Sequence, residues 1–181
     1  MTVKQKNALN RILNREQKIH PDRAGLHASL DKWTISDGAV AVLFYDKPDT
    51  VFSEAVRMDK IAQFIQTEFE NADYTKICTP IDIPEWKIAT KGYQQKFIRS
   101  KETPDFHAFA LDYNGNTRDA HFNLQFVLDA VEAVGSKAIA FLPTEPRPIP
   151  TLLVMHEDWM EDSALPIAIV MPVRQAKPAS K

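Results

Sequence analysis

Cysteine is almost absent from this chain, and several other features of familiar protein classes are missing as well. The 181 residues contain one cysteine, Cys78, which has no partner for an internal disulfide. A single thiol also excludes a metal cluster held by several cysteines of this chain. Because such low cysteine usage is typical of a reducing compartment, we expect a cytoplasmic protein.

Long apolar runs are missing too. No stretch of the sequence approaches the about 18 apolar residues that a membrane-spanning helix needs. The first residues, MTVKQK, lack the apolar segment of a signal peptide. We therefore expect no contact with a membrane.

An excess of positive charge is also lacking. The net charge is −2 and the isoelectric point is near 6.2, which argues against a strongly basic nucleic-acid binder but permits a local basic face. The chain has no glycine-rich phosphate-binding loop. We expect no cofactor, no bound metal and no catalytic residue.

The overall composition is typical of a globular protein. Hydrophobic residues make up 44% of the chain and charged residues 25%, which is sufficient for a real core. We predict one domain over residues 1–175, in which residues 57–103 form an elaborated connection. Residues 176–181 are predicted to be a flexible tail.

The order of the predicted elements suggests two similar units. The first is a helix at residues 4–17 followed by strands at 25–30, 33–36 and 39–45. The second is a helix capped by Asn123 and Gly135, followed by strands at 137–142, 151–155 and 166–174. A further helix is predicted at 57–70. Two units of a helix and an antiparallel meander predict an α+β fold with pseudo-two-fold symmetry.

The last predicted strand, PIAIVMPVR at 166–174, contains the first candidate site. Pro172 has no N–H group, so regular strand pairing is expected to fail there. Apolar side chains would then remain at the edge of the fold, where a partner peptide could dock. The candidate peptide-binding residues are Ile169, Met171, Pro172, Val173 and Arg174. The alternative is that these residues only complete the core.

The first helix contains the second candidate site. Four cations, Lys4, Arg11, Arg15 and Lys18, are spaced so that they share one helical face. Such a face can contact DNA phosphates without sequence preference. The alternative is a solvated surface, which is favoured by the acidic residues Asp129 and Glu132 on the second unit's helix.

These segments together resemble a known family. The sequence FNLQFVLDAV at 122–131, the strands at 139–141 and 151–154, and MPVR at 171–174 resemble the C-terminal half-domain of the bacterial DNA polymerase sliding clamp, the β subunit of DNA polymerase III. The turn WTISDGAVA at 33–41 looks like a second, weaker match, with Val40 where the family usually has arginine.

The resemblance implies a fold, a function and partners. The fold is a sliding-clamp-like domain, and the function is non-enzymatic binding in DNA replication and processivity. Its partners would be short peptides of polymerases or clamp loaders at the C-terminal strand, and double-stranded DNA if several copies assemble into a homo-oligomer. A clamp subunit contains three domains and this chain about one, so it looks most like shortened clamp-like proteins of phages or mobile elements.

Two alternatives stay open. A clamp-like decoy would compete for clamp-binding peptides without encircling DNA. A protein of another class, a small metal-dependent hydrolase or nuclease, would use the acidic and histidine positions. One candidate set is His156, Glu157 and Asp158, and the other is Asp105, His107 and Asp112. Two ligands on one turn are common by chance, and the spacing places no third ligand that would complete a metal site.

Overall fold

A computed structural model gives the architecture. It describes residues 1–29, 32–50, 52–55, 60, 63–64, 67, 77–81, 105–111, 117–135, 137–143, 151–159, 161–162 and 164–173. Arg174, the tail at 176–181 and most of the predicted connection at 57–103 lie outside these residues. Of the helix predicted at 57–70, residues 60, 63, 64 and 67 are described, and they are helical.

Two long helices form where the apolar spacing predicts them, and the second also agrees with its predicted capping residues. Helix α1 spans Val3–Ile19, and it begins at Thr2, whose side chain forms a capping box with Gln5. Helix α2 spans Leu124–Val134. Asn123 caps the start of α2, and the backbone N–H of Gly135 closes its last turn. The helices predicted at 4–17 and between Asn123 and Gly135 are confirmed, with α1 a few residues longer.

Nine strands lie within the described residues, besides the helices. Their bounds are β1 His27–Ser29, β2 Lys32–Ser36, β3 Val40–Phe44, β4 Ile77–Ile81, β5 Asp105–Leu111, β6 Thr117–Asn123, β7 Ala138–Pro143, β8 Leu152–His156 and β9 Ile167–Val170. Seven strands form one antiparallel sheet in the order β1-β2-β3-β9-β8-β7-β4, and β5 pairs with β6 in a separate hairpin. The predicted mixed α+β class with an antiparallel sheet is confirmed.

The strand order reflects the two predicted units. The first unit is α1-β1-β2-β3, and the second is α2-β7-β8-β9. Their last strands, β3 and β9, pair antiparallel at the centre of the sheet, with Val40 opposite Val170. Exchanging the two units therefore reproduces the order of these six strands. Strand β4 adds an outer strand beside β7, so the predicted connection at 57–103 contributes to the sheet itself.

Both faces of the central strands are buried. On one face, α1 and α2 pack against the sheet through side chains such as Leu9, Ile12 and Val127, each 0% exposed. The opposite face has its own apolar group, here called the far-face cluster: Ala41, Leu43, Leu153, Met155, Ile167 and Ile169. Central strands buried on both faces explain why their sequences read as continuous apolar runs.

The last strand is shorter than predicted. The sequence pattern extends it to Arg174, whereas β9 ends at Val170. Pro172 accounts for the early end, since it cannot donate to a ladder. No helix in the described part of the chain is long and apolar enough to cross a bilayer.

Candidate peptide-binding site and charged helix face

The chain leaves the central sheet immediately after β9. Val170 is paired with Val40 on one side and Leu152 on the other. The next residue, Met171, donates its backbone N–H to the carbonyl oxygen of Ala39, 2.8 Å away. Val173 donates its N–H to the carbonyl oxygen of His121 in β6, 2.7 Å away. Residues 171–173 therefore run from the large sheet to the β5–β6 hairpin.

The candidate peptide-binding residues divide into buried and partly exposed members. Ile169 is 2% exposed and belongs to the far-face cluster. Met171 is half-buried and packs against that cluster, while Pro172 and Val173 are also half-buried. The strand exit thus joins an enclosed apolar cluster to apolar side chains that solvent can still reach. The fifth candidate, Arg174, lies outside the described residues.

The register of the sheet arranges the far-face cluster in two rows. Ile169 lies between Ala41 and Leu153, and these three residues form one row. The second row contains Leu43, Ile167 and Met155. Met171 follows the first row at the strand exit. Trp159, which the sequence analysis did not assign to a site, also packs against the cluster from the turn after β8.

Thr151 is a further residue at the strand exit that the sequence analysis did not select. It immediately precedes β8 and is 4% exposed. Within the described residues, its buried Oγ1 atom has no hydrogen-bond partner. Its position next to Met171 follows from strand register, which cannot be read from the sequence of either strand alone.

The candidate DNA-binding face of α1 is partly occupied by carboxylates of the same chain. The Arg11 Nε atom lies 2.7 Å from Asp129 Oδ1, and its Nη2 atom lies 2.6 Å from Glu132 Oε2. Arg15 pairs through Nη1 with Asp129 and through Nε with Asp37 Oδ2 at 2.6 Å. The side chains of Asp129 and Asp37 are 0% and 2% exposed. Asp129 is therefore a buried bridging residue, and the sequence-based interpretation of it as surface acidity is wrong.

Other contacts hold the two guanidinium groups in place. The Arg15 guanidinium lies over the Phe126 ring, 4.9 Å from its centroid. Gln125 adds a third donor to Asp129, with its Nε2 atom 3.0 Å from Oδ1. A buried carboxylate needs such paired and hydrogen-bonded partners, because its desolvation is otherwise very costly.

The electrostatic balance keeps Arg11 charged. Burial lowers the pKa of Arg11, but the hydrogen bonds and charges of Asp129 and Glu132 outweigh burial and raise the pKa above its ordinary value. The two outer cations of the face, Lys4 and Lys18, are exposed. Of the four predicted DNA-contacting residues, the two lysines therefore lie at the surface, and the two arginines form ion pairs within the chain.

The acidic turn after β8 is likewise engaged within the chain. Lys137 pairs with Glu157, and its Nζ atom lies 3.5 Å from Asp158 Oδ2. The Asp158 backbone N–H donates to His156 Nδ1 at 3.2 Å. Among the residues that the structure describes, no three histidine, cysteine or acidic side chains are grouped to hold a metal.

The second acidic and histidine set is only partly described. Asp105 and His107 belong to β5, where the structure gives the backbone, and Asp112 lies outside the described residues. The metal-dependent alternative thus has no assembled site in the described ranges.

The fold and site define a mixed α+β protein with two helices on one face of an antiparallel sheet and an apolar strand exit at its centre. Comparisons with protein-family models, curated proteins and solved structures found no match to this chain.

Proposed function

We propose that this protein is a non-enzymatic, sliding-clamp-like binding module of DNA replication. It captures short clamp-binding peptides of polymerases or clamp loaders at the exit of β9. Ile169, Met171, Pro172 and Val173 provide the apolar contacts, and Arg174 follows them in sequence. The partner contributes a leucine or phenylalanine side chain.

One observation carries this proposal. Met171, Pro172 and Val173 remain half-buried beyond the last paired residue of β9, directly beside an enclosed apolar cluster. Two backbone hydrogen bonds, from Met171 and from Val173, fix this exit. A preformed apolar surface saves the ordering cost that a mobile segment would incur on binding. Met171 adds an adaptable thioether that can fit different apolar partners.

The arrangement of the two units supports the family resemblance. A helix followed by a three-strand meander occurs twice, and the two meanders meet through β3 and β9. The MPVR sequence begins immediately after β9, at the position that the resemblance gives it.

Between the two clamp-like alternatives, the charged face favours the decoy. Encircling DNA requires cations directed at phosphates, whereas Arg11 and Arg15 already pair with Asp129, Glu132 and Asp37. Lys4 and Lys18 are the remaining cations of that face. Peptide capture without encirclement therefore stands as the preferred form of the proposed function.

A peptide titration tests the proposal. A fluorescent clamp-binding peptide that contains leucine and phenylalanine is expected to bind the native chain. Met171→Ala is expected to weaken binding about tenfold, as truncation of a central apolar contact does. Val3→Ala is the control, because Val3 is 76% exposed at the start of α1. If Met171→Ala and a chain ending at Val170 both bind the peptide as tightly as the native chain, this site is ruled out.

Light scattering separates the encircling clamp from the decoy. A clamp that surrounds DNA requires a closed oligomer, whereas a decoy is active as a monomer. A monomer at tens of micromolar that binds the peptide would support the decoy form. A closed oligomer that binds duplex DNA with a strong dependence on salt would support the clamp form.

A further inference from the structure

Thr151 is positioned to contact whatever occupies the exit of β9. Leu152 is paired with Val170, so the adjacent residues Thr151 and Met171 lie side by side at the ends of antiparallel strands. Side chains alternate between the two faces of a sheet. Leu153 and Ile169 belong to the far-face cluster, so Thr151 and Met171 project from that same face.

The Thr151 hydroxyl is buried and has no hydrogen-bond partner among the described residues. Buried polar groups in native proteins are nearly always paired, and an exception calls for an explanation. The neighbouring backbone N–H groups are already used, because Met171 donates to Ala39 and Val173 donates to His121. Pro172 has no N–H group. The adjacent segment 171–173 thus has no free N–H donor for this hydroxyl.

We propose that Thr151 Oγ1 is the polar anchor of the peptide site and accepts a hydrogen bond from a main-chain N–H of the bound peptide. This inference rests on the proposed function and adds a specific contact to it. An extended peptide presents an N–H group to the same side at every second residue, so apolar and polar contacts can be made together. Because the hydroxyl is buried in the unbound chain, binding requires the flexible Met171 side chain to shift while it keeps its apolar contact with the leucine or phenylalanine of the peptide.

The anchor supplies selectivity that an apolar surface lacks. Contacts with Ile169 and Met171 favour any apolar side chain of suitable size. The Thr151 hydroxyl needs a hydrogen-bond donor, so it favours a ligand whose donor lies at a fixed distance from its apolar side chain. Thr151 therefore distinguishes an extended peptide from a free hydrophobic molecule of the same size.

Two substitutions test the contact in the full chain. Thr151→Val replaces the hydroxyl with a methyl group of the same shape, and Thr151→Ser keeps the hydroxyl. We expect Thr151→Val to weaken binding of the fluorescent peptide about five- to tenfold, since one hydrogen bond is lost. Thr151→Ser is expected to bind within about twofold of the native chain.

The free protein provides a second measurement. Because the hydroxyl has no hydrogen-bond partner among the described residues of the unbound chain, Thr151→Val is expected to keep the Tm within about 2 °C of the native value or to raise it. A Tm lowered well beyond this range would show that the hydroxyl is bonded within the chain. That result would overturn the inference.

Methylated peptides identify the donor. N-methylation of each main-chain amide in turn should weaken binding to the native chain at one position, and should have little further effect on Thr151→Val at that position. Independent effects of the methyl group and the substitution would overturn the inference.

The two proposals fail in different ways. If the peptide binds the native chain and Thr151→Val equally well, the anchor is wrong and the proposed peptide site stands. If the native chain does not bind the peptide, both the proposed function and the anchor are wrong.

Discussion

Gln5 joins the beginning of α1 to the end of α2. Its side-chain Nε2 atom donates to the carbonyl oxygen of Val134, 3.1 Å away. Its Oε1 atom accepts the backbone N–H of Thr2 at 2.7 Å, which completes the capping box of α1. One amide side chain therefore satisfies backbone groups at the ends of two antiparallel helices.

Removing this amide should destabilise both helix ends. We expect Gln5→Ala to lower the free energy of unfolding by about 1–2 kcal/mol, since a cap and a hydrogen bond between helices are lost together. Urea unfolding followed by circular dichroism measures the change. Gln17→Ala is a matched control, because Gln17 is exposed on the same helix. Equal loss in the two variants would contradict this role of Gln5.

The buried Asp129 should contribute more to the free energy of unfolding than the partly exposed Glu132. Asp129→Asn leaves two arginines without their shared negative charge, and removing one partner of a buried ion pair typically costs about 3–5 kcal/mol. Glu132→Gln removes a pair whose carboxylate side chain is 38% exposed, which should cost less than about 1 kcal/mol. Denaturant unfolding of both variants tests the difference. Similar stability in the two variants would show that Asp129 contributes no more than a surface charge.

Lys137 provides a test of pH dependence. The hydrogen bond from Lys137 to Glu157, together with the charge of Asp158, raises the pKa of Lys137 above its ordinary 10.5. A raised lysine pKa stabilises the fold below about pH 10.5, and this contribution is lost as the pH rises through the folded-state pKa. Titration of the Lys137 side chain by NMR should show the raised pKa.

Two changes should reduce this shift. Glu157→Gln should bring the Lys137 pKa back towards 10.5, because it removes the first cause of the shift. Sodium chloride at 1 M should also reduce it, since the Debye length is then only about 3 Å. An unchanged Lys137 pKa in Glu157→Gln would mean that the pair does not form in solution.

Local signals in the sequence were sufficient for the regular elements. Helix α2 begins after Asn123 and ends before Gly135, as its capping residues indicate. The two helix-and-meander units also followed from the apolar periodicity. These features depend on residues close together in the chain, so the local pattern contains most of the information.

Long-range contacts account for what the sequence did not predict. The spacing of Arg11 and Arg15 places them on one face, but it contains no sign of the pairing with Asp129 on a helix far along the chain. The path of the chain after β9 depends on Ala39 and His121, whose carbonyl oxygens accept the N–H groups of Met171 and Val173. The position of Thr151 beside Met171 follows from strand register, which only the assembled sheet defines.

The pairing of β3 with β9 has a consequence for biosynthesis. Val40 and Val170 are neighbours across the sheet although most of the polypeptide separates them in sequence. Contacts of such high sequence separation slow folding, since a long loop must close before they form. During translation β3 is synthesised long before β9, so its apolar edge lacks its partner strand in that interval, and such an unpaired edge favours aggregation.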